Sequence, residues 1–173
     1  MDNAFNEITQ SLPDAHHWVR ITVRLSAALI VGTLVGLQRE LTHKPAGLRT
    51  HMLVALGTSL FLISAAESGM SSADLSRLVQ GIVTGIGFLG GGAILKLATE
   101  REIHGLTTAA GVWMTAAASV AAALGQVVVA LVGTIVGLVV LITIRSLEQH
   151  LSHDLKRDSE THPPTNANPK DVA

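Results

Sequence analysis

The stretch KPAGLRTHMLVALGTSLFLISAA, residues 44–66, leaves a charged turn and enters a 17-residue run, 50–66, with no acid, lysine or arginine. As a helix this run measures about 26 Å, close to the roughly 30 Å hydrocarbon core of a bilayer. It shows no alternation of period two, so a strand is a poor reading. Pro45 and Gly47 break the chain before the helix, and Lys44, Arg49 and His51 cluster around its start. The start of a helix is the positive end of its dipole, where anions are favoured. The sequence therefore poses a question: what answers these cations?

Four further runs resemble this one. Together the five cover residues 21–37, 50–66, 78–97, 105–124 and 127–144, each 17 to 20 residues long. The second to fifth hold no acid, and their one fixed charge is Lys96. Hydrophobic residues make up 48% of the 173, only 14% are charged, and mean hydropathy is +0.45. Two tryptophans and three phenylalanines are too few aromatics for a soluble core of this size. The apolar mass is aliphatic residues, alanine and 16 glycines, as in helices packed within lipid. We therefore expect an all-α integral membrane protein with five transmembrane helices and the lipid bilayer as its first partner.

The flanks divide the chain. Residues 1–19 form a polar N-terminal segment without lysine or arginine, unlike the basic start of a secretion signal. Residues 20–146 form the membrane domain, and 147–173 a charged cytoplasmic tail, partly disordered by composition. An outside N-terminus and a cytoplasmic C-terminus place nine of twelve basic residues inside, leaving Arg20, Arg24 and Arg77 outside. The positive-inside rule favours that orientation.

Glycine spacing indicates how helices meet. Gly32/Gly36, Gly81/Gly85, Gly87/Gly91 and Gly133/Gly137 are GxxxG pairs, which let another helix approach closely within or between subunits. A homo-oligomer is one use of such faces. The dense Gly90, Gly91 and Gly92 also suit a hinge or a local unwinding, as around transported ions. Gln80 and Thr84 share a face of the third helix and can hydrogen-bond across helices. GLRT (47–50) and GLTT (105–108) open the second and fourth runs alike. In each, glycine frees the backbone and threonine can cap exposed amides.

Three ordered blocks carry a family resemblance: GLVGLQRE with HKPAGLRTHMLVALGTSLF, then QGIVTGIGFLGGGAILK, then IHGLTTAAGVWMTAAASVAAALG. From about Arg24 to Ile144 the chain resembles the MgtC/SapB membrane proteins. The resemblance implies a multi-pass protein of the bacterial inner membrane, tied to adaptation to low magnesium and, in some pathogens, to virulence and survival inside host cells. It implies action by binding other membrane proteins, the rotary ATP synthase among them. It also implies a member without the soluble C-terminal domain many relatives carry, since 29 residues follow Ile144. Three positions depart from the family pattern. Gln38 stands before Arg39 where glutamate is usual, Gly91 replaces a common alanine, and Gly111 a common serine.

The blocks point to one polar cluster at the cytoplasmic mouth: Arg39, Glu40, Arg49, Thr50 and His51, joined by His104, Thr107 and Thr108. In this reading Arg49 meets Glu40 or a phosphate, since a guanidinium offers a two-pronged fork to either. The runs present no carboxylates, which a hard cation such as Mg²⁺ prefers. His150 and His153 have a spacing usable by a metal, but the polar tail reads better as a solvated helix end. No P-loop, nucleophile elbow or HExxH occurs, and there is no cysteine. We expect no enzyme activity, cofactor or metal site. The net charge of −1 offers nothing to nucleic acid. Two readings compete: a non-catalytic regulator of membrane proteins, and a small oligomeric channel or transporter for Mg²⁺ or another ion.

Overall fold

The computed structural model describes residues 15–94 and 105–143, and among these the only regular structure is helical. We number the helices α1 (Ala15–Leu41), α2 (Leu48–Glu67), α3 (Ser72–Gly92), α4 (Leu106–Ala123) and α5 (Val127–Thr143). Three of them, α1, α2 and α4, are both long and apolar enough to cross a membrane. Helix α5 is shorter, and α3 has the length, but Arg77, Gln80 and its glycines dilute its hydropathy.

Each boundary has a local cause. Glu40 accepts a hydrogen bond from the Leu48 amide at 3.0 Å, placing a carboxylate at the start of α2. Helix α3 begins at Ser72, six residues ahead of the run expected from 78, because Ser71 caps it by accepting from the Asp74 amide at 3.2 Å. The last part of that run, 95–97, lies outside the described residues. The helix stops at Gly92, where three consecutive glycines offer little helix propensity. Helices α2 and α4 end in matching glycine turns. Gly69 and Gly125 take left-handed φ values of 76° and 85°, and the amides of Met70 and Gln126 reach back to the Ala65 and Ala121 carbonyls.

The chain divides into two units, Met1–Val136 and Gly137–Ala173. In the first, α1, α2 and α4 pack together, and α3 lies chiefly on α4. The core is built of small residues. Ala27, Ala28 and Val31 meet Ala118, Ala122 and Ala130, and a second cluster joins Leu62 and Ile63 to Ala123. Buried hydroxyls return to carbonyls one turn back: Thr115 to Gly111, Ser119 to Thr115, and Thr134 to Ala130. Ser59 crosses between helices to the Ser119 carbonyl at 3.2 Å. Such bonds satisfy polar groups where no water is at hand. The described part of the second unit, 137–143, is the end of α5.

Candidate functional site: a buried polar centre among α1, α2 and α4

The glycines of α1 create the site. A Cβ built on Gly32 would lie 2.7 Å from the His51 carbonyl oxygen, and one on Gly36 would lie 2.8 Å from the Leu48 Cα. Both are closer than real Cβ contacts, so α1 and the first turns of α2 touch backbone to backbone. His51 is sealed at this contact with no exposure, and Gly36 leaves room beside its Cβ.

The ring of His51 has one satisfied nitrogen. Nδ1 lies 3.1 Å from the Gly47 carbonyl, which assigns the proton to Nδ1 and leaves Nε2 as an acceptor. Nε2 is buried and has no hydrogen-bond partner among the described residues. It faces Gly111 of α4, where an added Cβ would stand 3.5 Å away. Arg39, 3% exposed near the end of α1, donates through Nη2 to the Thr108 hydroxyl in the first turn of α4. Gln38 Oε1 is also buried without a partner among the described residues.

The structure thus brings together Arg39, His51 and Thr108 from three helices. Glu40 sits one residue along α1, outside this buried group, where it holds the start of α2. Arg49, Thr50 and Thr107 are exposed. No ion pair joins Arg49 to Glu40 among the described residues, where the pairs are His17–Glu67 at 2.6 Å and Arg77–Asp74 at 3.1 Å. His104 lies outside the described residues. The anion at this helix start is Glu40 of α1, which serves the Leu48 amide, while Lys44 and Arg49 are exposed.

The other singled-out positions divide sharply. Gly90 meets Ala109 of α4 at 3.5 Å from an added Cβ. Around Gly81, Gly85, Gly87, Gly91, Gly92 and Gly133 an added Cβ meets nothing within 4 Å. Gly137 falls in the second unit. Thr84 and Gln80 are both exposed, and the Thr84 hydroxyl donates at 2.9 Å to the Gln80 carbonyl of its own helix. Sequence reasoning missed the His17–Glu67 pair joining the start of α1 to the end of α2. A histidine and an acid at opposite ends of adjacent antiparallel runs were its only signal.

The arrangement is a guanidinium and an imidazole held at the starts of α2 and α4. Among the described residues no three acids or histidines gather into a metal-binding group.

Known proteins with the same sequence pattern identify the relationship. The MgtC family matches residues 25–150. SrpB of Synechococcus elongatus is 38% identical over 143 residues, covering 76% of this chain and 79% of SrpB. MgtC of Salmonella typhimurium is 38% identical over 130 residues, covering 75% of this chain and 54% of MgtC. YhiD of Escherichia coli, which bears a provisional magnesium-transporter name, is 37% identical over 127 residues, covering 69% of this chain and 58% of YhiD. The chain thus spans little more than half the length of the last two. No solved structure matches it. The chain belongs to the MgtC family.

Proposed function

From membership of the MgtC family we propose that this protein is a non-catalytic, magnesium-related protein of the bacterial inner membrane that binds and regulates other membrane proteins. In this reading all five helices cross the bilayer, with the N-terminus outside and the C-terminus in the cytoplasm. The protein serves adaptation to low magnesium and, in a pathogen, survival in the host. Its partners are integral membrane proteins, the rotary ATP synthase among them, with a second copy of itself as a further possibility of the same faces.

The buried Arg39 is the observation that carries the proposal. The fixed charge sealed among α1, α2 and α4 is a cation, fastened to Thr108. That bond ties the end of α1 to the first turn of α4, and the residues around it are buried, so this centre joins helices. Helix α3 supports the same reading, since only Ile86 and Gly90 are buried along its 21 residues. Its open Gly87 and Gly91, away from the α2 side, suit contact with another protein.

The alternative is a small oligomeric channel or transporter, as the name of YhiD proposes for that protein. The early end of α3 at Gly92 keeps it in view, because a shortened glycine-rich helix is one way to build an ion path. Mg²⁺ flux into liposomes holding only the purified, correctly inserted protein separates the two. We expect flux no greater than in protein-free vesicles. Saturable flux would establish the transport reading instead.

A further inference from the structure

The side of α3 facing α2 opens into a groove. Its volume is about 670 Å³, and its walls are apolar, with Leu53 and Phe61 from α2 and Leu78, Ile82 and Leu89 from α3. Gly57, Gly81 and Gly85 also line it, and all three have open space where a side chain would stand. The charged residue at its rim is Arg77.

Position and length bear on what fills this groove. Arg77 lies in the second turn of α3, beyond the polar turn that Ser68, Gly69 and Ser71 make between the helices. A polar turn followed by an apolar helix places Arg77 at a membrane interface. From Arg77 to Leu89 the helix advances about 18 Å. Half of a hydrocarbon core is about 15 Å. The groove therefore begins at headgroup depth and runs past the bilayer midplane, since Leu53 of α2 lies about 21 Å along the helix from Glu67.

Volume agrees with length. At about 30 Å³ per heavy atom, the share a liquid gives one water, the groove holds roughly 22 heavy atoms. That is the size of one long acyl chain.

Charge completes the match. Arg77 pairs with Asp74 through Nη1 at 3.1 Å, an exposed contact between residues three apart, which is weak. The rest of the guanidinium fork faces outward, and its geometry fits phosphate. We propose that the α2–α3 groove seats one anionic phospholipid of the surrounding bilayer, with an acyl chain along Gly57, Gly81 and Gly85 and the phosphate on Arg77. This inference rests on the protein's place in the membrane and on neither the regulator nor the transporter reading.

The test is native mass spectrometry of the full chain, purified, stripped of lipid and returned to phosphatidylglycerol or phosphatidylcholine. One phosphatidylglycerol should remain per chain, preferred over phosphatidylcholine by about tenfold, the scale of one charge-assisted contact. Arg77→Gln should bring the two lipids to parity. Gly85→Leu and, from the opposite wall, Gly57→Leu should each expel the lipid. Two independent fillings keep the result readable if one variant folds poorly, which circular dichroism and gel filtration would reveal. Lipid retained in both filled variants, or equal binding of the two lipids by the wild type, overturns the proposal. So does a Gly85→Cys chain that forms disulfide-linked dimers in lipid, since a second copy then occupies the groove.

Discussion

His51 is held by its surroundings on every side but one. Its carbonyl and Cβ press against the glycines of α1, its Nδ1 is bonded to Gly47, and its Nε2 faces the bare backbone of Gly111. A serine at 111 would extend a hydroxyl one bond beyond a Cβ already 3.5 Å from Nε2, within reach of a hydrogen bond. Gly111→Ala should stabilise the protein by about 1 kcal/mol through helix propensity alone. Serine is the poorer helix former, yet Gly111→Ser should exceed the alanine variant by about 0.5–1 kcal/mol, because it satisfies a buried acceptor. Thermal unfolding in detergent compares them; an alanine variant as stable as the serine one would mean that Nε2 already has a donor. At this scale the sequence was partly legible. The blocks named Arg39, His51 and Thr108, which are buried together, but neighbours on a helix point about 100° apart. With His51 turned inward, in step with Ala55, Thr58 and Leu62, Arg49 and Thr50 must turn outward. Thr108 and Thr107 separate for the same reason.

The helices use identical spacings for different ends. Gly32 and Gly36 lie against α2, whereas Gly81 and Gly85 open on the α2–α3 groove. The contrast gives opposite signs for one substitution. Gly32→Ala should destabilise by about 1–3 kcal/mol, since its methyl would stand 2.7 Å from a carbonyl oxygen and force the helices apart. Gly81→Ala should raise stability by up to about 1 kcal/mol, because nothing lies within 4 Å and alanine favours helix. Paired melting curves check both, and a loss at Gly81 matching that at Gly32 would contradict the open face. Apolar length and the turn residues made the five helices legible, since both are properties of local sequence. What fills the space opposite a glycine depends on residues far along the chain, so no spacing reveals it.

The first unit is a small-residue bundle whose helix boundaries follow local rules, and the balance of basic residues carries the proposed membrane orientation. The chain contains no cysteine, so single cysteines can report orientation directly. In the proposed topology, Met70→Cys and Gln126→Cys react with an impermeant maleimide from outside the cell. Lys44→Cys should react only once the membrane is opened. All three sites lie in exposed turns. The reverse pattern would invert the topology, and labelling of Met70→Cys and Gln126→Cys from opposite sides would mean that α3 and α4 do not form a pair of crossings.

The bond from Arg39 to Thr108 joins residues 69 positions apart. A ribosome adding roughly 5–20 residues per second makes Thr108 about 3–14 s after Arg39. During that interval the growing chain carries Arg39 without Thr108, one of the groups that later hold it. The long side chain can wait among headgroups at the water boundary, where its charge stays solvated. The arrival of α4 then draws it under cover. Biogenesis of this protein therefore contains a delayed closing step, set by the order in which its helices are synthesised.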